Sequence, residues 1–155
     1  MLVFLIGFMG AGKTHLGRAL AQSLGYQFTD LDSLIEETAG CSIPRIFNRE
    51  GEVAFRLREQ EALRRITTNL QAQKASCVIA CGGGTPCYHG NLEFMKAQGF
   101  VIYLHVSDEI LCERLLQQTQ PRPLLPWRTK EELLPHIQQL LKIRLPFYSQ
   151  AHWRC

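Results

Sequence analysis

The sequence predicts a three-layer α/β domain, a parallel sheet with helices on both faces. Two observations lead there. Short apolar runs alternate with longer amphipathic runs along the whole chain, the pattern of strands joined by crossover helices. A glycine-rich turn, Gly7 to Gly12, sits between the first apolar run and the first amphipathic one, at the strand end where such sheets place their ligand turns. The 155 residues suit one domain and not two. There is no internal repeat, low-complexity tract or linker.

Each element follows from local pattern. Leu2 to Ile6 reads as a buried strand. The helix after the glycine turn carries Leu16, Ala19, Leu20 and Leu24 on one face, and Gly25 stops it. Tyr26 to Thr29 is a short second strand, and a helix with Leu34 and Ile35 runs on to Gly40. Ser42 is placed to cap a short helix through Ile46 and Phe47. A long helix follows Gly51, with Phe55, Ala62, Leu63, Ile66 and Leu70 inward. Cys77 to Cys81 is the third strand and Phe100 to Val106 the fourth. Ser107 caps the next helix, whose Asp108 and Glu109 suit its positive end. Thr119 to Arg128 holds three prolines and reads as a loop. Thr129 and Glu132 form a capping-box pattern for a last helix, which Pro135 is expected to bend.

Bulk properties narrow the function classes. A formal net charge of +3 is too weak for a nucleic-acid footprint. The apolar opening Met1 to Ile6 is too short for a signal-peptide core, and no run approaches a membrane span. A cytoplasmic location and a monomer are expected. The six cysteines form no Cys-x-x-Cys pair, so a reduced protein without a cysteine metal site is expected.

Four groups of residues carry chemistry. Gly7-Phe8-Met9-Gly10-Ala11-Gly12-Lys13-Thr14 matches the phosphate-loop pattern, with the required strand before it and helix after it. Its glycines let backbone N–H groups turn inward around phosphate oxygens. The helix that follows points its positive end at the same place. Lys13 is placed to reach the β- and γ-phosphates of ATP, and the Thr14 hydroxyl to ligate Mg2+. Asp30-Leu31-Asp32 ends the second strand. Residues two apart point the same way, so both carboxylates can face one cleft, one toward magnesium and one toward a polyol. The alternative, a helix N-cap plus a solvated acid, stays open. Gly82-Gly83-Gly84 follows the third strand and allows close backbone approach to a ligand. Arg56, Arg58, Arg114, Arg122 and Arg144 form a set suited to carboxylates and phosphates. Arg122, between Pro121 and Pro123, has the setting of a lid residue.

Taken together, GFMGAGKT, FTDLD, SIPRIFNREGEVAFRLRE, VIACGGGT, VIYLHV, RPLL and RLPFY resemble the shikimate kinases, in the nucleoside-monophosphate-kinase-like P-loop group. The stretches lie in order from Phe4 to about Ala151. The resemblance implies a parallel sheet of order 2-3-1-4-5, a substrate-binding subdomain at about 31–62 and a mobile lid at about 117–128. It implies ATP-dependent phosphorylation of the 3-hydroxyl of shikimate, in aromatic amino-acid biosynthesis. Gly10, Ala11, Gly12, Lys13, Thr14 and His15 would then hold the nucleotide, and Thr14 and Asp30 the magnesium. Asp32 would bind the substrate hydroxyls and help deprotonate the attacking one. Arg56 and Arg144 would clamp the substrate carboxylate, with Gly82, Gly83 and Gly84 against the ring. Arg122 would meet the transferring phosphoryl group, and Arg114 is a loose candidate for the adenine side.

The chain departs from that family pattern in three places. His15 stands where a second hydroxyl residue is usual. Ser149 and Gln150 follow Tyr148 where an acid is usual. The sequence ends at Cys155, before the usual fifth strand, adenine-contacting loop and final helix. Val101 to Val106 is therefore expected at or near an open sheet edge. Two other readings compete: a gluconate-type or nucleotide kinase sharing the phosphate loop, and a nucleotide-binding module inactive for lack of its C-terminal segment.

Overall fold

A computed structural model describes residues 1–118 and 129–155. The predicted loop Thr119 to Arg128, with Arg122, lies outside the described residues. Five strands form one sheet: β1 (Leu2–Ile6), β2 (Gln27–Asp30), β3 (Cys77–Ala80), β4 (Phe100–Tyr103) and β5 (Trp153–Arg154). Their order is β2-β3-β1-β4-β5, all parallel. The helices are α1 (Lys13–Leu24), α2 (Leu31–Ala39), α3 (Ile43–Ala72), α4 (Asn91–Gln98), α5 (Asp108–Leu116) and α6 (Lys130–Tyr148). None of the described helices is long and apolar enough to cross a membrane.

β1 explains the layering. Its five residues are all buried, and successive side chains point to opposite faces. Leu2, Phe4 and Ile6 join one core with Leu63 and Leu70 of α3, Met95 of α4 and Tyr148 of α6. Val3 and Leu5 join the other with Ala21 of α1, Leu111 and Leu115 of α5 and Ile137 of α6. A strand buried on both faces reads as a continuous apolar run. Each such Leu or Ile contributes about 1.5–3 kcal/mol on burial.

Several local expectations change. In α1 the inward residues are Gly17 and Ala21, while Leu16 and Leu24 are 40% and 48% exposed. The cause is close approach: a Cβ on Gly17 would lie 2.6 Å from the Phe28 ring, so only small residues fit between helix and sheet. Ser42 is the N-cap residue of α3 but makes no side-chain cap bond. Glu36 accepts from the Ile43 N–H instead (2.8 Å). Thr129 likewise starts α6 without a side-chain cap bond. Gly51 (φ 82°, ψ 174°) divides α3 into two helical stretches, at the predicted point. α4, between Gly90 and Gly99, had no predicted counterpart.

The fifth strand corrects the expectation of a missing edge. β5 pairs with β4 in parallel, Ile102 opposite Trp153 and Tyr103 opposite Arg154. His152 N–H donates to the Val101 carbonyl (2.9 Å), and the Val101 N–H donates to His152 Nδ1 (3.0 Å). Cys155 N–H donates to Tyr103 O (3.0 Å), and the Cys155 carbonyl accepts from His105 N–H (2.7 Å). Four residues suffice because pairing needs only backbone groups, plus here one imidazole nitrogen in place of a carbonyl. Buried peptide groups on β4 are thereby satisfied.

Candidate active site

The carboxyl ends of β1, β2 and β3 deliver the predicted residues to one place. The phosphate loop runs from β1 into α1, with Gly12 (φ 94°, ψ 19°) as the N-cap residue. Lys13 Nζ donates to the carbonyls of Gly7 and Phe8, both at 2.8 Å, so the ammonium is folded back over the loop. Arg114, on α5, donates through Nη1 to Gly10 O (3.2 Å) and Ala11 O (3.3 Å). It braces the loop from outside. His15 is exposed on the first turn of α1.

Asp30 does two jobs at the end of β2. Its Oδ1 caps α2, accepting from the N–H groups of Asp32 (3.1 Å) and Ser33 (3.3 Å). Its Oδ2 accepts from Thr14 Oγ1 (2.6 Å). The cap reading of the sequence is met by Asp30 Oδ1, and Oδ2 is engaged by the Thr14 hydroxyl. The hydroxyl and carboxylate are all-oxygen donors of the kind a hard divalent cation takes. Among the described residues no cluster of His, Cys, Asp and Glu could hold a metal unaided. A cation here would depend on phosphate oxygens, as magnesium bound with a nucleotide does.

Beside the loop lies a cavity of about 600 Å³. Asp30, Asp32, Glu59, Arg56, Arg144 and all three glycines Gly82 to Gly84 line it. The glycines are spaced against the charges. A Cβ on Gly82 would sit 2.8 Å from Glu59 Oε1 and 2.9 Å from Asp32 Oδ1. One on Gly83 would sit 3.1 Å from Arg144 Nη1, and one on Gly84 2.5 Å from Arg56 Nη1. The run therefore has an acidic end and a basic end, with no room for a side chain between. Gly83 is fixed from behind by Tyr148, whose hydroxyl donates to its carbonyl (2.5 Å). Burial pushes the Tyr148 phenol well above its usual range.

The two arginines are held differently. Arg56 is buried, with Nη1 donating to Glu59 Oε2 (2.6 Å) and Nε and Nη2 to Glu52 Oε1 (3.3 and 3.1 Å). Burial opposes its charge, but the Glu59 and Glu52 carboxylates outweigh that and raise its pKa. Arg144 is also buried, over the Phe8 ring at 5.3 Å. Its Nη1 is buried with no hydrogen-bond partner among the described residues. A buried guanidinium nitrogen without a partner is costly, and a bound anion relieves that cost. Arg58 takes no part: it pairs with Glu50 at the surface (2.8 Å).

Two contributors escaped the sequence reading. Glu59 is one, although its i+3 spacing from Arg56 was a visible signal. Tyr148 is the other, and nothing local marks it.

A phosphate cradle opening straight onto a pocket with two buried arginines is the arrangement of a P-loop small-molecule kinase. One half suits a triphosphate, the other an anionic acceptor. Relatives narrow the class. The chain belongs to the shikimate kinase family, whose model matches residues 9–155. A shikimate kinase of Bacteroides thetaiotaomicron is 40% identical over 151 residues, 97% of this chain and 83% of that protein. A crystal structure of shikimate kinase from the same species superposes with a TM-score of 0.91 at 39% identity, covering 99% of this chain and 85% of that one. The Acinetobacter baumannii shikimate kinase, solved in complex with shikimate, gives 0.89 at 41% identity, covering 99% and 82%.

Proposed function

We propose that this chain transfers the γ-phosphoryl group of ATP to the 3-hydroxyl of shikimate, giving shikimate 3-phosphate for aromatic amino-acid biosynthesis. The observation that carries this reading is the polarity along Gly82 to Gly84, with Asp32 at one end and Arg144 and Arg56 at the other. A ring bearing hydroxyls on one side and a carboxylate on the other lies along that run in one orientation. Its hydroxyls then meet Asp32 beside the phosphate loop, and its carboxylate meets the Arg144 and Arg56 guanidinium groups. The Acinetobacter relative's complex with shikimate supports the choice of acceptor.

The loop residues Gly10, Ala11, Gly12, Lys13, Thr14 and His15 hold the nucleotide phosphates. Thr14 Oγ1 and Asp30 Oδ2 would hold magnesium, which neutralises phosphate charge when bound. Asp32 orients the acceptor hydroxyl and takes its proton. Arg122, outside the described residues, would meet the transferring phosphoryl group, and 31–62 would form the substrate-binding part of a single domain. The protein works as a cytoplasmic monomer, without nucleic-acid or membrane partners.

A coupled ADP-release assay with magnesium and a panel of shikimate, gluconate and nucleoside monophosphates tests the reading. Turnover with shikimate alone is expected. Turnover with gluconate or a nucleotide in its place, or ATP binding with no transfer to any acceptor, would contradict it.

A further inference from the structure

The segment after the glycine run reaches back to Arg56 without entering the cavity. Thr85 is fully buried, and its Oγ1 donates to Glu59 Oε1 (2.6 Å). The other oxygen of that carboxylate holds Arg56 Nη1 (2.6 Å). Tyr88 lays its ring 4.4 Å from the Arg56 guanidinium carbon, and its hydroxyl donates to Glu52 Oε1 (3.4 Å). Neither Thr85 nor Tyr88 lines the cavity.

This segment is itself pinned. Buried Asn91 donates through Nδ2 to the Thr85 carbonyl (3.0 Å). His89 holds a left-handed backbone (φ 52°), which costs a non-glycine residue energy and persists when its surroundings impose it. Here Gln60 and Arg64, both on α3, donate to the His89 carbonyl at 3.3 and 3.4 Å. The turn that aims Tyr88 at Arg56 is thus fastened to the helix that carries Arg56.

The two carboxylates on Arg56 differ in permanence. The Glu52 side chain is 43% exposed and that of Glu59 is 1% exposed. A substrate carboxylate can displace Glu52 into water. It cannot displace Glu59, because a buried carboxylate leaving its partners has nowhere to be solvated. We infer that Thr85 and Tyr88 are positioning residues for substrate recognition. Thr85 fixes Glu59 so that Arg56 stays aimed when the incoming carboxylate replaces Glu52, and Tyr88 holds the guanidinium plane. This rests on the acceptor reading above.

The test compares Thr85→Val, Thr85→Ser and Tyr88→Leu with the wild type. Shikimate affinity is measured by calorimetry, KM and kcat by ADP release, and the Arg56 guanidinium signals by NMR. Thr85→Val is expected to weaken shikimate binding about tenfold, the scale of one charge-assisted hydrogen bond. The KM for shikimate should rise with it, the KM for ATP should hold, and kcat should fall less than threefold, roughly. Thr85→Ser keeps the hydroxyl and should restore affinity to within about twofold. The separate, slowly rotating Nη signals of wild-type Arg56 should average in Thr85→Val. Wild-type shikimate affinity in Thr85→Val, or equal losses for shikimate and ATP, overturns the inference. If Thr85→Val does not fold, Tyr88→Leu at the half-exposed ring decides, unchanged shikimate affinity again overturning it. Failure of the wild type to bind shikimate defeats the acceptor reading alone; the Arg56 NMR signals still decide the positioning role.

Discussion

Gly84→Ala puts the basic end of the cavity under a defined strain. The Gly84 backbone (φ −91°, ψ −13°) accepts alanine without penalty. The added methyl is the whole perturbation. Its carbon would lie 2.5 Å from Arg56 Nη1 and 2.7 Å from Cζ and Nη2. The guanidinium must retreat by about 1 Å to reach ordinary van der Waals contact. It cannot do so and keep its 2.6 Å bond to Glu59. Losing or stretching one hydrogen bond between charged groups costs about 1.5–3 kcal/mol. Shikimate affinity should therefore fall roughly 10- to 150-fold. Nucleotide affinity should hold, because the three atoms nearest the added methyl all belong to Arg56. Calorimetric titration of shikimate, alongside displacement of a fluorescent ATP analogue, reads both. Shikimate affinity within twofold of wild type would show that Arg56 is not held against the glycine run, and would refute the reasoning.

Other substitutions probe the remaining parts. Lys13→Ala should abolish turnover, since catalysis here is mostly positioning and electrostatics; turnover near wild type would contradict the nucleotide site. Arg144→Lys keeps the charge but loses the planar fork. It should weaken shikimate binding by about 1.5–3 kcal/mol and spare ATP binding; calorimetry showing the reverse would move Arg144 to the nucleotide side. Asp32→Asn should lower kcat roughly 100- to 10,000-fold if the carboxylate takes the proton. An unchanged kcat with a raised KM would make Asp32 a positioning group only.

What the sequence disclosed depended on how local the determining physics is. The phosphate loop and the glycine run were legible because particular residues at fixed spacing impose a backbone path. The continuous apolar run of β1 around Phe4 and Leu5 reported both layers, since each face of a parallel strand is buried. Arg56 and Arg144 were legible as residue types suited to carboxylates. What holds Arg56 was legible only in part: the i+3 spacing of Glu59 hints at a pair, but Thr85, which buries against Glu59, lies 26 residues on. The inward face of α1 was only partly assigned, for a related reason. Leu20 packs against the core as periodicity suggests, but the closeness of Phe28 leaves no room for a side chain at Gly17. The edge strand was discounted on length. Its pairing rests on four residues, among them His152, whose ring nitrogen accepts the Val101 N–H.

The central claim is that the acceptor's carboxylate docks at the basic end of the glycine run while a hydroxyl faces Asp32. Comparing shikimate with its methyl ester under saturating ATP tests it most directly. The ester keeps every hydroxyl and the ring but carries no charge for Arg144 and Arg56. A drop in kcat/KM of at least about 100-fold, with the KM for ATP unchanged, is the predicted result, on the scale of two lost charge-assisted hydrogen bonds. An ester phosphorylated as efficiently as the acid would contradict the claim.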